Sequence, residues 1–128
     1  MKFAKIVFYV AGITGTMIIG MGYFSEPWVS REHPPAVNHL EYFYGFMGLA
    51  LAWQIVFLIV ARDPLRYRAL MIAAMVEKLS YGVTVSVLYL QHRLDGGLFL
   101  MGLQDWVFLA AFIAAFISTR SVVGQQEA

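Results

Sequence analysis

Cysteine is absent from this 128-residue chain, which removes disulfide frameworks, thiolate metal sites and dithiol redox chemistry. Small four-helix membrane oxidoreductases that pass electrons through paired cysteines are excluded on that ground. Charge is scarce too. Asp, Glu, Lys and Arg make up 13% of the chain, about half the share of a soluble domain. The net charge of +1 leaves no polybasic footprint, so no nucleic-acid partner is expected. Proline occurs four times, at Pro27, Pro34 and Pro35 in one connection and at Pro64 in another. The chain has no internal repeat and no low-complexity run.

Apolar residues are plentiful: 60% of the chain is hydrophobic, with a mean hydropathy of +0.68. They fall in four stretches, near 3–24, 40–61, 68–90 and 98–118, each close to the roughly 20 residues that a helix needs to cross a bilayer core. The expectation is an all-α, four-helix transmembrane bundle forming a single integral membrane domain over 1–128. Lys2 and Lys5 ahead of an apolar run, with Gly20-Met21-Gly22 behind it, imitate a secretory signal. The run is long for a signal core and reads as a helix.

Orientation follows from the cationic residues at the span ends. Lys2, Lys5, Arg62, Arg66, Arg68 and Arg120 fall on one side, Arg31 and Arg93 on the other. The bias predicts a multi-pass protein of a bacterial-type inner membrane with both termini cytoplasmic. Asp63-Pro64 reads as a helix start, the third helix beginning as an interfacial turn at Pro64. Asp95-Gly96-Gly97 reads as a tight outer turn. Such short connections predict that spans two, three and four are sequential antiparallel neighbours. The 25–39 connection shows no helical period, and Tyr23 and Trp28 suit the outer interface.

Lipid tails give helices no hydrophobic reason to associate, so small residues and buried polar contacts must hold them together. Gly12, Thr16 and Gly20 form one small-residue stripe; Gly45, Gly48 and Ala52 form another. Both are expected to face helices of the same bundle, with a homodimer seam through Gly12, Thr16 and Gly20 as the alternative. Phe108, Phe112 and Phe116 are read as bundle-filling or lipid-facing surface rather than a cofactor box.

The chemistry-bearing residues lie inside the spans. Glu77 sits roughly 13 Å from the inner edge of span three, and Asp105 roughly 10 Å from the outer end of span four, at about 1.5 Å per residue. Lys78 has the reach to join them, and Gln54 falls near the level of Glu77. An ionised group near a helix centre costs about 2.5–3.5 kcal/mol, so these groups must satisfy one another. Lys78 is expected to pair with Asp105, and Glu77 to pair as well or to carry a proton. Glu77, Ser80, Tyr81, Thr84 and Gln91 share a polar stripe on span three. Met101, Gln104, Asp105 and Phe108 share the inward face of span four.

His33, His39 and His92, with Glu41 nearby, collect at the outer rim. Imidazole and carboxylate suit zinc or ferrous iron, and His39 with His92 invites comparison with a bis-imidazole haem site. No fixed-spacing metal signature accompanies them, so no cofactor is predicted, with haem, a metal or a quinone kept as alternatives. Interfacial or capping roles are the expectation.

The run His39-Leu40-Glu41-Tyr42-Phe43-Tyr44-Gly45, then Arg62-Asp63-Pro64, then Glu77-Lys78 and Asp105, resembles small four-helix bacterial membrane proteins of the DoxX and BphX-like kind over roughly residues 3–118. The resemblance implies the four-helix architecture. Some members of those families are linked to quinone-coupled oxidation or aromatic catabolism, but no motif here transfers a catalytic residue. The leading expectation is non-catalytic: a subunit or partner of a larger membrane assembly, its Glu/Lys/Asp cluster fixing helix registry. The first alternative is a membrane-embedded binding protein or enzyme for a quinone-like, sterol-like or aromatic molecule. The second is a proton or cation pathway along the polar stripe.

Overall fold

A computed structural model of the chain describes residues 1–126, with side chains described through residue 120. Five helices occur among the described residues: α1 (Lys2–Gly22), α2 (Glu26–Glu32), α3 (Leu40–Arg62), α4 (Arg68–Leu90) and α5 (Gly96–Gln126). Four of them, α1, α3, α4 and α5 through Arg120, are long and apolar enough to cross a membrane. The expected fourth span is the middle of the longer α5. The end of the expected tail, and with it the C-terminus, lies outside the described residues.

Sequence-local chemistry sets several boundaries. The Asp95 carboxylate accepts the Leu98 N–H at 3.0 Å, satisfying one of the free donors that open α5. At the end of α4, His92 takes a left-handed backbone conformation, φ 55°. The His92 N–H reaches the Tyr89 carbonyl and the Arg93 N–H the Leu88 carbonyl, the paired bonds of a Schellman stop. Asp63 accepts the Arg66 N–H at 3.2 Å and so shapes the 63–67 turn; α4 itself starts at Arg68.

Two departures from expectation concern topology. The 25–39 connection contains the seven-residue helix α2, too short to show a period in sequence. Pro27 lies in its first turn, where its missing N–H costs nothing. The second departure is the pairing order. α1 packs most extensively on α3 and α4 on α5, α1 also packs on α5, and α3 meets α4 only sparsely. Spans two and three pack more sparsely than either other pair of consecutive spans, because the broad faces of α3 and α4 are spent on α1 and α5. Within each strong pair the helices run antiparallel: Phe8 meets Phe57 and Gly22 meets Met47, while Arg68 meets Phe116 and Tyr89 meets Phe99.

The small-residue stripes also need correction. Gly12 and Gly15, not Gly12, Thr16 and Gly20, form the seam with α3: a Cβ on Gly12 would meet Leu58 at 2.7 Å and one on Gly15 would meet Gln54 at 1.8 Å. Around Gly20 nothing lies within 4 Å, and Thr16 is exposed, its hydroxyl turned back to the Gly12 carbonyl. Steps of four overshoot a helical turn by about 40° each, so the stripe drifts off the contact face. Of the three residues of the alternative homodimer seam, Gly12 is thus buried against α3, while Thr16 and Gly20 are not. On α3, Gly45 and Ala52 are exposed and only Gly48 approaches α1, with the Tyr23 hydroxyl 3.0 Å from its would-be Cβ.

The packed core occupies one end of the bundle. Phe8, Phe57 and Phe112 are fully buried there with Val60, Ala61, Met71 and Ala115. Phe8 stacks on Phe112 at 4.3 Å and Phe57 meets Phe112 edge-on at 5.1 Å. Phe112 thus fills the bundle, while Phe116 lies under the Arg68 guanidinium, 3.7 Å from its ring centre. Large apolar side chains such as Ile6, Met17, Leu49, Val107 and Ile117 point outward, the surface expected of helices that contact lipid.

Candidate functional site

The opposite end of the bundle, where α2 lies, is hollow. A cavity of about 600 Å³ is walled by α1, α3, α4 and α5 and reaches Ser25, Trp28 and Val29 at the α2 end. Its walls are mostly apolar and aromatic, including Phe43, Phe46, Tyr81 and Phe108. Near the boundary with the packed core it meets Gln54, Glu77, Lys78, Gln104 and Asp105. The volume lies within the usual range for small-molecule sites, about 300–1,000 Å³.

The ionic residues form a triad. Lys78 donates to Asp105 Oδ1 at 3.2 Å, and both residues are buried, 7% and 5% exposed. Glu77 Oε2 approaches the same ammonium at 3.3 Å, yet that oxygen is buried and has no hydrogen-bond partner among the described residues. The Phe57 ring adds a cation–π contact, with Lys78 Nζ 5.3 Å from its centre. Adjacent positions on α4 separate the two roles: Lys78 points into the bundle, whereas Glu77 faces the gap toward α3. Gln54, 3% exposed, sends its amide N–H to the Ala50 carbonyl at 2.8 Å.

Because α3 and α4 barely touch, a second, lateral cleft of about 360 Å³ opens between them. Phe46, Ala50, Glu77 and Tyr81 line both spaces, and the Phe46 and Tyr81 rings stack at 5.5 Å. Ser80 and Thr84 face this cleft, but their hydroxyls donate to the Glu77 and Ser80 carbonyls of their own helix. On span four, Met101, Gln104, Asp105 and Phe108 all line the main cavity.

The outer-rim residues disperse. His33 hydrogen-bonds Asp95 through Nδ1 at 2.5 Å and stands edge-on to Trp28, 5.0 Å between centres, which ties the end of α2 to the start of α5. The Asp95 carboxyl is held below its usual range, first by the Leu98 backbone N–H and then by His33. His39 pairs with Glu41 at 3.1 Å on an exposed surface, and His92 serves as the helix stop. No group of three or more His, Asp or Glu side chains able to hold a metal occurs among the described residues.

Sequence reasoning missed several residues that shape the site. Trp106 donates to Ser86 at 3.1 Å and presses on Gly82, whose added Cβ would lie 3.0 Å from the indole. Gly102 admits Val85 more closely still, at 2.5 Å from its would-be Cβ. These contacts lock α4 to α5 around the triad. Gly82 and Gly102 were visible as small residues, but which large side chain each one receives depends on helix rotation and register. Comparison with family models, with curated proteins and with solved structures finds no match to this chain.

Proposed function

We propose that the protein is a polytopic membrane protein that binds an amphipathic small molecule, of quinone-like, sterol-like or aromatic type, in the cavity at the α2 end. The carrying observation is that a space of about 600 Å³ opens onto the Glu77–Lys78–Asp105 triad instead of being packed shut around it. Helix registry alone needs the Lys78–Asp105 pair; it does not need a hollow beside it, and unfilled space costs packing energy. The apolar walls suit the body of such a molecule, and the triad with Gln54 and Gln104 suits its polar end. The cleft between α3 and α4 offers a path from the bilayer.

The distribution of Lys and Arg supports a bacterial-type inner membrane with both termini cytoplasmic, which puts the cavity in the outer half of the membrane. The run at 39–45 with Glu77, Lys78 and Asp105 supports a relation to DoxX and BphX-like proteins, and the four long helices fit that architecture.

The test is native mass spectrometry of the protein extracted from membranes in a mild detergent. A lone chain or small homo-oligomer carrying a stoichiometric small molecule is the expected result. A stoichiometric complex with other proteins and an empty cavity would return the role to that of a non-catalytic subunit.

A further inference from the structure

The cavity's charge is unbalanced in one direction. Its ionic lining residues, among those described, are Glu77 and Lys78 from α4 and Asp105 from α5; α1 contributes none, α3 contributes the neutral Gln54, and Tyr81 is a phenol. Two acids therefore share one ammonium. Lys78 is committed to Asp105 by a hydrogen bond, which leaves Glu77 as the surplus acid, its Oε2 buried without a donor. An uncompensated carboxylate inside a membrane is costly. Glu77 thus requires either a proton or a positive group from outside the chain.

We infer, building on the proposed cavity function, that the ligand is a lipophilic monocation, an amine-bearing amphiphile whose ammonium takes the place of a proton on Glu77. An anionic ligand would face two carboxylates. A neutral ligand would leave the surplus acid holding its proton and gain only an ordinary hydrogen bond. A monocation neutralises the triad, supplies N–H donors to the orphaned oxygen, and forms a charge-assisted bond. Trp28, Phe43 and Phe108 present aromatic surface to the same cavity, which favours cations and apolar bodies alike. Glu77 also lines the lateral cleft, so it is the acid that a molecule arriving from the bilayer meets. The exchange balances: the carboxylic acid loses its proton to solvent as the ammonium pairs with the carboxylate, one proton released per cation bound.

The experiment compares 4-phenylbutylamine, 4-phenylbutanol and 4-phenylbutyrate binding to the full chain in zwitterionic nanodiscs, with proton release read in weakly buffered solution. The wild-type protein should bind the amine about tenfold or more tighter than the alcohol, with close to one proton released per amine. Glu77→Gln should erase that preference and the proton release while keeping alcohol binding. Equal affinity for amine and alcohol, amine binding without proton release, or a preference that survives Glu77→Gln overturns the cation assignment and leaves the cavity reading standing. Failure of all three probes to bind overturns both. Proton release by the wild-type chain decides the question even where the variant fails to fold.

Discussion

Lys78 is the one base within ion-pair distance of two carboxylates, 3.2 Å from Asp105 and 3.3 Å from Glu77. Lys78→Met should therefore lower stability by about 3–5 kcal/mol, because two acids are left in an apolar interior without a base. The triple change Glu77→Leu, Lys78→Met and Asp105→Leu should recover most of that loss, since well-packed apolar groups replace buried ion pairs at little cost. Thermal unfolding in detergent reads both, and a stable Lys78→Met protein would show that the pair does not hold the helices. Glycines separate by position. Gly102→Ala drives a methyl against Val85, 2.5 Å from Cγ1, and should cost about 1–3 kcal/mol. Gly20→Ala enters open space and should gain up to about 1 kcal/mol from helix propensity. Charged residues inside apolar runs announce themselves in a sequence; the neighbours of a glycine do not.

At the scale of elements, α2 is held at the mouth of the cavity by His33 against Asp95 and Trp28. The folded-state pKa of Asp95 lies below its usual 3.8. The contribution of its ionised form is therefore complete above that usual value and is lost as pH falls through the lower, folded value. Hydrogen-exchange protection of residues 26–32 should stay constant from neutral pH down to the carboxylate range and then drop. Asp95→Asn should abolish that acid-dependent step, and an unchanged profile would remove Asp95 from the latch. The sparse α3–α4 contact makes a second prediction. With no native cysteine, Phe46→Cys with Tyr81→Cys places a single thiol pair across the cleft. Bridging the pair with a short bis-methanethiosulfonate should slow uptake of the amine probe from the bilayer, and reduction should restore it. Unaltered uptake in the bridged protein would place the entry elsewhere.

For the whole molecule, one end is filled by Phe8, Phe57 and Phe112 and the other is hollow, with the triad at the boundary. This division leaves one end rigid and the other open for the proposed ligand. The proposed topology puts the hollow end outside. A membrane-impermeant maleimide should label Asn38→Cys on intact cells and label Leu65→Cys only after permeabilisation. The reverse pattern would invert the protein and place the cavity toward the cytoplasm.

The amino-acid sequence alone determined the all-helical architecture, the four apolar helices and the pairing of Lys78 with Asp105. Hydrophobic run length and the cost of a lone charge in lipid are local properties, readable without knowing which helix stands beside which. Only the tertiary structure decided the pairing order, the α2 helix, the use of Gly12 and Gly15 in place of Thr16 and Gly20, and the existence of the cavity. These depend on the rotation and register of each helix about its axis. Apolar residues surround most of each span, so the sequence pattern left those angles open, and close packing between particular side chains selected them.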